Sequence, residues 1–136
     1  MTLRPLHFER LAGFRRGLRR FLASSEAITQ VSGVTAQQYQ ALLEIKARAE
    51  RSTTVGDLAE AMIMQHHSAV QLADRLQEAG LIARSRSPND ARSVLLGLTP
   101  EGDALVTRLV ADHLGELRKC EPILAESLRQ LRRIEG

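Results

Sequence analysis

The stretch LADRLQEAGLIARSRSPNDARSVLLGLTPEG, from Leu72 to Gly102, decides the fold of this chain. It opens on an amphipathic helix, and Gly80 supplies the left-handed residue that ends it. Two short aliphatic segments follow at 81–86 and 92–98, and the turn-forming run Ser-Pro-Asn-Asp lies between them. Thr99-Pro100 then gives an N-cap followed by proline at the first helical position. The stretch therefore predicts a helix, a β-hairpin and a second helix.

The residues directly before this stretch predict two helices joined by a tight bend. Thr54 with Asp57 is a start signal, because a hydroxyl cap precedes a carboxylate in the first turn of a short helix. We expect a bend at Ile63-Met64 and then a helix from Gln65 to Ala79, whose apolar residues recur at helical spacing. Two helices joined in this way form a helix-turn-helix, and the second helix fits a major groove about 12 Å wide.

Both ends of the chain also show helical patterns. An amphipathic helix is predicted from Leu6 to about Ile28, and the capping box of Thr35 and Gln38 starts another. A long helix is expected after Pro100, and Pro122 is expected to restart a final one. The predicted fold is therefore mainly α with a small β-hairpin, a winged helix-turn-helix domain plus N- and C-terminal dimerisation helices.

The 136 residues are predicted to form one domain, because no run rich in Pro, Gly or Ser divides them. Within it we assign 34–99 to the winged helix-turn-helix region and 1–33 and 100–136 to dimerisation helices. The C-terminal helices carry an apolar stripe that one small domain cannot cover, so we expect a second copy to cover it. The stripe consists of Leu105, Leu109, Leu114, Leu117, Ile123, Leu124, Leu128 and Leu131.

Composition restricts the class of protein. The net charge of +3 and the sequence pI near 9.7 permit a polyanionic partner without demanding one. Aromatic residues make up 3%, too few for a module that stacks single-stranded bases. A single cysteine, Cys120, and an N-terminus interrupted by arginines indicate a cytoplasmic protein without membrane contact. The sequence offers no phosphate loop, metal-ligand spacing or nucleophile with its base, so we expect no enzyme, no cofactor and no metal.

The second helix of the helix-turn-helix opens with side chains that can read base edges. Glutamine in particular matches the paired donor and acceptor of adenine. Threonine hydroxyls and free amides at the start of the preceding short helix are expected to hold phosphate oxygens and set the docking register. The contacts predicted for these two helices are Thr53, Thr54, Gln65, His66, His67, Ser68 and Gln71.

Arginines surround the predicted hairpin turn. Arg84, Arg86 and Arg92 cluster there, and a narrow groove of negative potential attracts such side chains. Asp90 is the one acidic residue in the turn, and we expect its carboxylate to hold the guanidinium of Arg92 or Arg84 in a bidentate fork. Arg75 and Arg84 are expected to contact the DNA backbone or to brace Asp90.

The stretch from Leu72 to Gly102 resembles the helix-wing-helix segment of MarR regulators. The residues that carry the resemblance are Asp74-Arg75, Gly80-Leu81, Arg84, Asp90-Ala91-Arg92 and Leu98-Thr99. The resemblance implies a homodimer with two winged domains on a shared helical base, which binds a near-palindromic site in double-stranded DNA and represses nearby genes. It also implies that a small phenolic or aromatic effector, or an oxidant, releases the DNA. Two positions depart from the family pattern: Ile63 stands at the bend where glycine is frequent, and Gln65 opens the helix where Ser, Thr or Asp is usual.

Alternatives stay open at the level of sequence. Winged-helix folds also serve as protein-interaction modules, and an effector-independent DNA-binding protein would share the features above. A chelating pair needs a spacing of three or four residues, so adjacent His66 and His67 do not predict a metal site. The arginines between 15 and 20 are interpreted as the solvated face of the first helix, with the DNA backbone or a membrane surface as alternatives. An effector pocket would draw on any of Phe14, Leu18, Phe21, Tyr39 and Leu43.

Overall fold

A computed structural model describes residues 2–49, 51–90 and 92–134 of the chain. The elements in chain order are α1 (Pro5–Val31), α2 (Ala36–Ala47), β1 (Thr53–Thr54), α3 (Val55–Met62), α4 (His66–Glu78), β2 (Ile82–Arg86), β3 (Val94–Leu98) and α5 (Pro100–Arg132). The fold is mostly helical with one small antiparallel sheet, which confirms the predicted fold class. Among the described helices, none combines the length and the apolar character that crossing a membrane would require.

The chain divides into two compact units. The helical unit comprises residues 1–28 and 111–136, and the winged unit comprises Thr29–Val110. In the helical unit the two segments run antiparallel. Arg10 Nη1 donates to the Gln130 carbonyl at 3.0 Å, and the Ser25 hydroxyl and His113 Nε2 share a buried hydrogen bond of 2.6 Å.

The winged unit is built around fully buried aliphatic side chains. The predicted capping box of Thr35 with Gln38 starts α2, and the predicted start signal of Thr54 with Asp57 starts α3, where it also forms a capping box. The core draws on α2, α3, α4, β2 and the part of α5 that lies in this unit, so α4 is fixed against the rest of the unit by its apolar side. The largest fully buried aliphatic side chains are Leu42, Leu58, Leu76, Ile82, Val106 and Leu109.

The sheet has three strands in the order β1-β3-β2, whereas the sequence predicts a two-stranded hairpin. The hairpin of β2 and β3 is confirmed, and β1 adds to it through the antiparallel partners Thr53 with Leu96 and Thr54 with Leu95. A two-residue strand has no alternating pattern of its own, and its partner lies some forty residues further along the chain. Sequence periodicity therefore does not reveal it.

Helix α5 is continuous from Pro100 to Arg132, so the expectation that Pro122 begins a separate helix is wrong. Proline has no N–H to bond the carbonyl of Arg118, one turn earlier. Arg118 is exposed, so its carbonyl, which has no helical donor, can turn toward solvent, and the helix continues past Pro122.

The end of α4 and the start of α5 are held together by backbone contacts. Gly80 is left-handed with φ 74°, as predicted. The Thr99 hydroxyl donates to the Gly80 carbonyl at 2.6 Å and accepts from the Gly102 N–H at 3.0 Å, which confirms Thr99 as the cap of α5. A Cβ on Gly102 would lie 1.9 Å from the Leu81 carbonyl oxygen, so the two segments approach as closely as only glycine allows.

Candidate nucleic-acid interface

The bend between α3 and α4 lies where the sequence predicts it. Ile63 has φ 53° in the left-handed region, and its side chain is 94% exposed. The N–H of Ile63 donates to the Glu60 carbonyl and that of Met64 to the Ala59 carbonyl, which closes the end of α3. Gln65 is the extended N-cap of α4, and its side chain makes no capping hydrogen bond. The helix therefore begins at His66, one residue later than predicted.

Helix α4 is anchored by one side and leaves the other accessible. Ala69, Leu72, Ala73 and Leu76 are buried in the winged unit. The side chains of Gln65, His66, His67, Gln71 and Arg75 are exposed, and Ser68 is half-buried. Within the described part of the chain, none of these six side chains makes a hydrogen bond or an ion pair, so their polar atoms are available to a partner.

The wing is joined to α4 by the side chain of Arg84 on β2. Its Nη1 atom lies 2.7 Å from Asp74 Oδ1, and its Nη2 atom donates to the Val70 carbonyl at 3.3 Å. Both contacts are on α4, so one guanidinium fixes the base of the wing to this helix at two points. In the sequence, Asp74 was identified only as part of the Asp74-Arg75 motif, and its ion pair with Arg84 was not predicted.

Asp90 has a different role from the one predicted. Its Oδ1 atom accepts the backbone N–H of Arg92 at 3.0 Å, and its Oδ2 atom accepts the Ser93 hydroxyl at 3.3 Å. A short carboxylate in a tight turn reaches its neighbouring backbone more readily than a long side chain. The expectation that it grips the guanidinium of Arg92 or Arg84, or is braced by Arg75, is therefore wrong. Asp90 shapes the turn instead.

The outer arginines of the wing have no ion-pair partner among the described residues. Arg86 at the end of β2 and Arg92 near the start of β3 are both exposed. Ala91, the middle residue of the predicted Asp-x-Arg motif, lies outside the described residues. Two unpaired guanidiniums thus flank the hairpin turn.

A cleft of about 450 Å³ lies between the start of α3, the start of α4 and the wing. Thr54, His66, Arg84 and Arg92 all line it, so the fold brings together four of the predicted contact residues from separate parts of the sequence. Gly56, Val70 and Ser93 also line it and were not predicted. The cleft combines the amide end of α3 with the guanidinium of Arg92, which has no ion-pair partner among the described residues and suits an anionic group, whereas the guanidinium of Arg84 is already paired with Asp74.

The two threonines before α3 have different environments. The Thr54 hydroxyl accepts the Asp57 N–H at 3.0 Å, and the Asp57 carboxylate accepts the Thr54 N–H at 2.9 Å. This hydrogen bond from the Thr54 backbone lowers the pKa of Asp57. Thr53 is 2% exposed, and its hydroxyl has no hydrogen-bond partner among the described residues. Thr53 therefore does not belong to the accessible surface expected from the sequence.

The five residues considered for an effector pocket fall in different units. Phe14, Leu18 and Phe21 belong to the helical unit, where Leu18 is exposed and the two phenylalanines are half-buried. Tyr39 and Leu43 belong to the winged unit; Tyr39 is buried, and burial raises the pKa of its hydroxyl. None of the five lines the cleft described above. Their assignment to an effector stays a prediction.

A helix-turn-helix followed by a β-hairpin, with the hairpin tied to the second helix, defines a winged helix-turn-helix protein. Residues 32–93 match the model of the MarR family. The chain is 32% identical over 99 residues to the organic hydroperoxide resistance transcriptional regulator of Bacillus subtilis, and 35% identical over 94 residues to the transcriptional repressor MdtR of the same organism. These alignments cover 73% and 69% of the chain, but only 65% and 59% of the relatives' lengths.

The fold agrees with this match. The chain superimposes on AbsC, a MarR family transcriptional regulator from Streptomyces coelicolor, with a TM-score of 0.82 at 20% identity, covering 98% of this chain and 91% of the other. The family model, the relatives and the fold together place the chain in the MarR family, whose members are transcriptional regulators rather than enzymes.

Proposed function

We propose that this chain is a sequence-specific, DNA-binding transcriptional regulator that acts as a homodimeric repressor. The observation that carries the proposal is the exposed, internally unpaired polar face of α4, held at a fixed position beside an arginine-bearing wing by Arg84. This arrangement offers base-reading side chains and phosphate-binding cations on one surface. The membership in a family of transcriptional regulators supports it.

Helix α4 is the element that we assign to the major groove. Gln65, His66, His67 and Gln71 are exposed over its first turns, and Ser68 is partly accessible among them. Glutamine pairs with the N6 and N7 edge of adenine, and neutral histidine can both donate to and accept from base edges. These side chains are expected to select the sequence.

The wing and the start of α3 are assigned to the phosphate backbone and the minor groove. Arg86 and Arg92 are exposed and free of internal ion pairs in the described residues, so they can enter a narrow groove of negative potential. The capping box already uses the amides of Thr54 and Asp57, so we assign a phosphate oxygen to the amides of Val55 and Gly56 between them. Arg84 positions the wing, and Arg75 on the exposed side of α4 is assigned to the backbone.

The helical unit is assigned to contact between two copies of the chain. It exposes a series of large apolar side chains, more than a soluble monomer usually leaves open to water. We propose that 1–33 and 100–136 form the dimer base, while 34–99 binds DNA. A two-fold dimer binds half-sites about one helical turn apart, which makes a near-palindromic operator. The exposed residues are Phe8, Leu11, Leu22, Leu114, Leu117, Ile123 and Leu128.

Repression and its release by an effector complete the proposal. One relative is named as a repressor, and another as a regulator of organic hydroperoxide resistance. A small phenolic or aromatic compound is proposed to lower operator affinity in this chain. A regulator of this kind works where the DNA is, so we propose a cytoplasmic location.

The test begins with selection of bound fragments from genomic DNA, followed by salt titration of the best fragment. An inverted repeat with half-sites about one helical turn apart, bound with a steep salt dependence, is expected. Arg92→Ala should weaken binding to that fragment, whereas Arg108→Ala, which removes an exposed arginine of α5 in the same unit, should not. A folded dimer that enriches no fragment at low salt would contradict the proposal and favour a protein-interaction module.

A further inference from the structure

The positive charge of this chain does not reside in its winged unit. Residues 29–110 contain eight basic and nine acidic side chains, whereas the helical unit contains eleven basic and seven acidic ones. The winged unit therefore has a net negative charge and the helical unit is positive, while the 34–99 region that we assign to operator binding, with seven basic and seven acidic side chains, is neutral. Strong charge asymmetry of this kind indicates a polyanionic partner for the basic part.

Four of the basic side chains form one group on α1, which we call the arginine stripe. It consists of Arg15, Arg16, Arg19 and Arg20. At 100° per residue, these positions span an arc of about 140°, and 15 with 19 and 16 with 20 are neighbours one turn apart. All four side chains are exposed. The stripe is therefore a single, accessible face of the helix.

Nothing in the described residues compensates this charge. None of the four guanidiniums forms an ion pair or a hydrogen bond there, although carboxylates elsewhere in the helical unit, such as Glu116 and Glu126, do pair with neighbouring cations. Like charges one helical turn apart repel and weaken a helix. A polyanion lying along the stripe would relieve this repulsion.

The residue type and the neighbours of the stripe favour phosphates of a rigid polymer over a lipid surface. Guanidinium groups bind phosphate oxygens in bidentate fashion, and all four members are arginine. A helix that lies on a membrane inserts apolar side chains, often aromatic ones. On α1, Phe14 and Phe21 are half-buried within the helical unit, and the exposed apolar side chains Phe8, Leu11 and Leu22 are those that we assign to the dimer base rather than to a lipid surface.

We propose that the arginine stripe is a second, sequence-independent binding surface for the phosphate backbone of duplex DNA, separate from the winged surface. The inference rests on the proposed function, which brings the protein to duplex DNA in the first place. A contact of this kind raises non-specific affinity and retains the protein on DNA while it searches for its site. It also supplies the positive charge that the winged unit lacks.

The test measures binding to a fluorescent random-sequence duplex of about 40 bp at several salt concentrations. The variant R15Q/R16Q/R19Q/R20Q is compared with R118Q/K119Q/R132Q/R133Q, which removes four exposed charges from the C-terminal segment of the same unit. We expect the stripe variant to bind about tenfold more weakly at low salt, with a salt slope lower by about 0.9 for each phosphate that the protein no longer neutralises. Equal weakening in both variants would overturn the proposal, because net charge alone would then explain the binding.

Two further experiments distinguish a lipid surface from duplex DNA as the partner of the stripe, and distinguish failure of the stripe proposal from failure of the proposed function. Binding to vesicles of phosphatidylserine and phosphatidylcholine is measured for the wild type and the stripe variant. Stripe substitutions that weaken vesicle binding and leave duplex binding unchanged would overturn the assignment to DNA. A wild-type protein that selects an operator, with a stripe variant equal to wild type on random duplex, would overturn the stripe alone. Stripe-dependent binding to random duplex with no selected operator would leave the stripe standing and contradict the operator-binding regulator. R15Q/R19Q repeats the comparison at half the charge change, should the quadruple variant fail to fold.

Discussion

The Arg84 guanidinium on β2 lies 2.7 Å from the Asp74 carboxylate on α4, so an ion pair joins the wing to the helix that we assign to the major groove. The side chains are 27% and 48% exposed, and solvent screens a pair of this kind to roughly 0–1 kcal/mol of folding stability. Its contribution is mainly geometric. Because Arg84 also donates to the Val70 carbonyl, the pair fixes where the wing stands relative to α4.

The first prediction separates this geometric role from simple electrostatics. Asp74→Asn removes a negative charge near the proposed DNA surface and should strengthen binding if charge alone mattered. We expect it to weaken operator affinity about fivefold, roughly 1 kcal/mol, because the wing loses its anchor. Glu78→Gln removes an exposed carboxylate from the same helix and should strengthen affinity slightly. Titration of both variants against the selected fragment checks this, and a shift of the same sign in both would refute the anchoring role.

Features that depend on neighbouring residues could be predicted from the sequence. The helix caps at Thr35 and Thr54, the left-handed Gly80 and the hairpin all rest on residue types within a few positions of one another, and the structure has each of them. The exposure of the first turns of α4 followed from helical periodicity in the same way. These signals sufficed for the fold class and for most of the polar surface.

Features that depend on distant residues could not be predicted. The pairing of β1 with β3 joins residues far apart in the sequence, and the partner of Arg84 could have been any nearby carboxylate. Asp90 and Glu78 are both nearer to Arg84 in sequence than Asp74, but the side chain of Asp90 is already engaged with the turn backbone. Burial of Thr53 also follows from its place in the sheet. It could not be predicted, because the residue type alone does not distinguish a threonine in a cap from one in a strand or a loop.

The second prediction concerns the close approach of α5 to the end of α4. Gly102→Ala places a Cβ 1.9 Å from the Leu81 carbonyl oxygen, a contact that backbone atoms must move to relieve. We expect a loss of unfolding free energy of about 2–4 kcal/mol, similar to other strained core changes. Gly115→Ala, in the same helix with open space around it, should instead stabilise by about 0.5–1 kcal/mol. Urea unfolding at one fixed protein concentration measures both, and a mild effect of Gly102→Ala would mean that the segments are not this close.

The third prediction contrasts two adjacent hydroxyls. Thr53→Val replaces a buried hydroxyl without a described partner by a methyl group of similar volume, so unfolding free energy should rise by about 1 kcal/mol. Thr54→Val removes the hydroxyl that caps α3 and should lower it by about 1 kcal/mol. Chemical unfolding of the two variants beside wild type gives opposite signs if the assignment is right. Destabilisation by Thr53→Val would show that its hydroxyl is bonded.

The fourth prediction concerns the bend that sets the entry of α4. Ile63 is a β-branched residue at φ 53°, a conformation that costs non-glycine residues roughly 1–2 kcal/mol, and its side chain is 94% exposed and supplies little packing in return. Asn tolerates the left-handed region through local hydrogen bonding and loses less freedom on folding than glycine. We therefore expect Ile63→Asn to raise unfolding free energy by about 1 kcal/mol, whereas Ile63→Val, which keeps the branch, leaves it unchanged. Thermal and urea unfolding compare the three proteins; a destabilised Ile63→Asn would mean that the left-handed backbone does not strain Ile63.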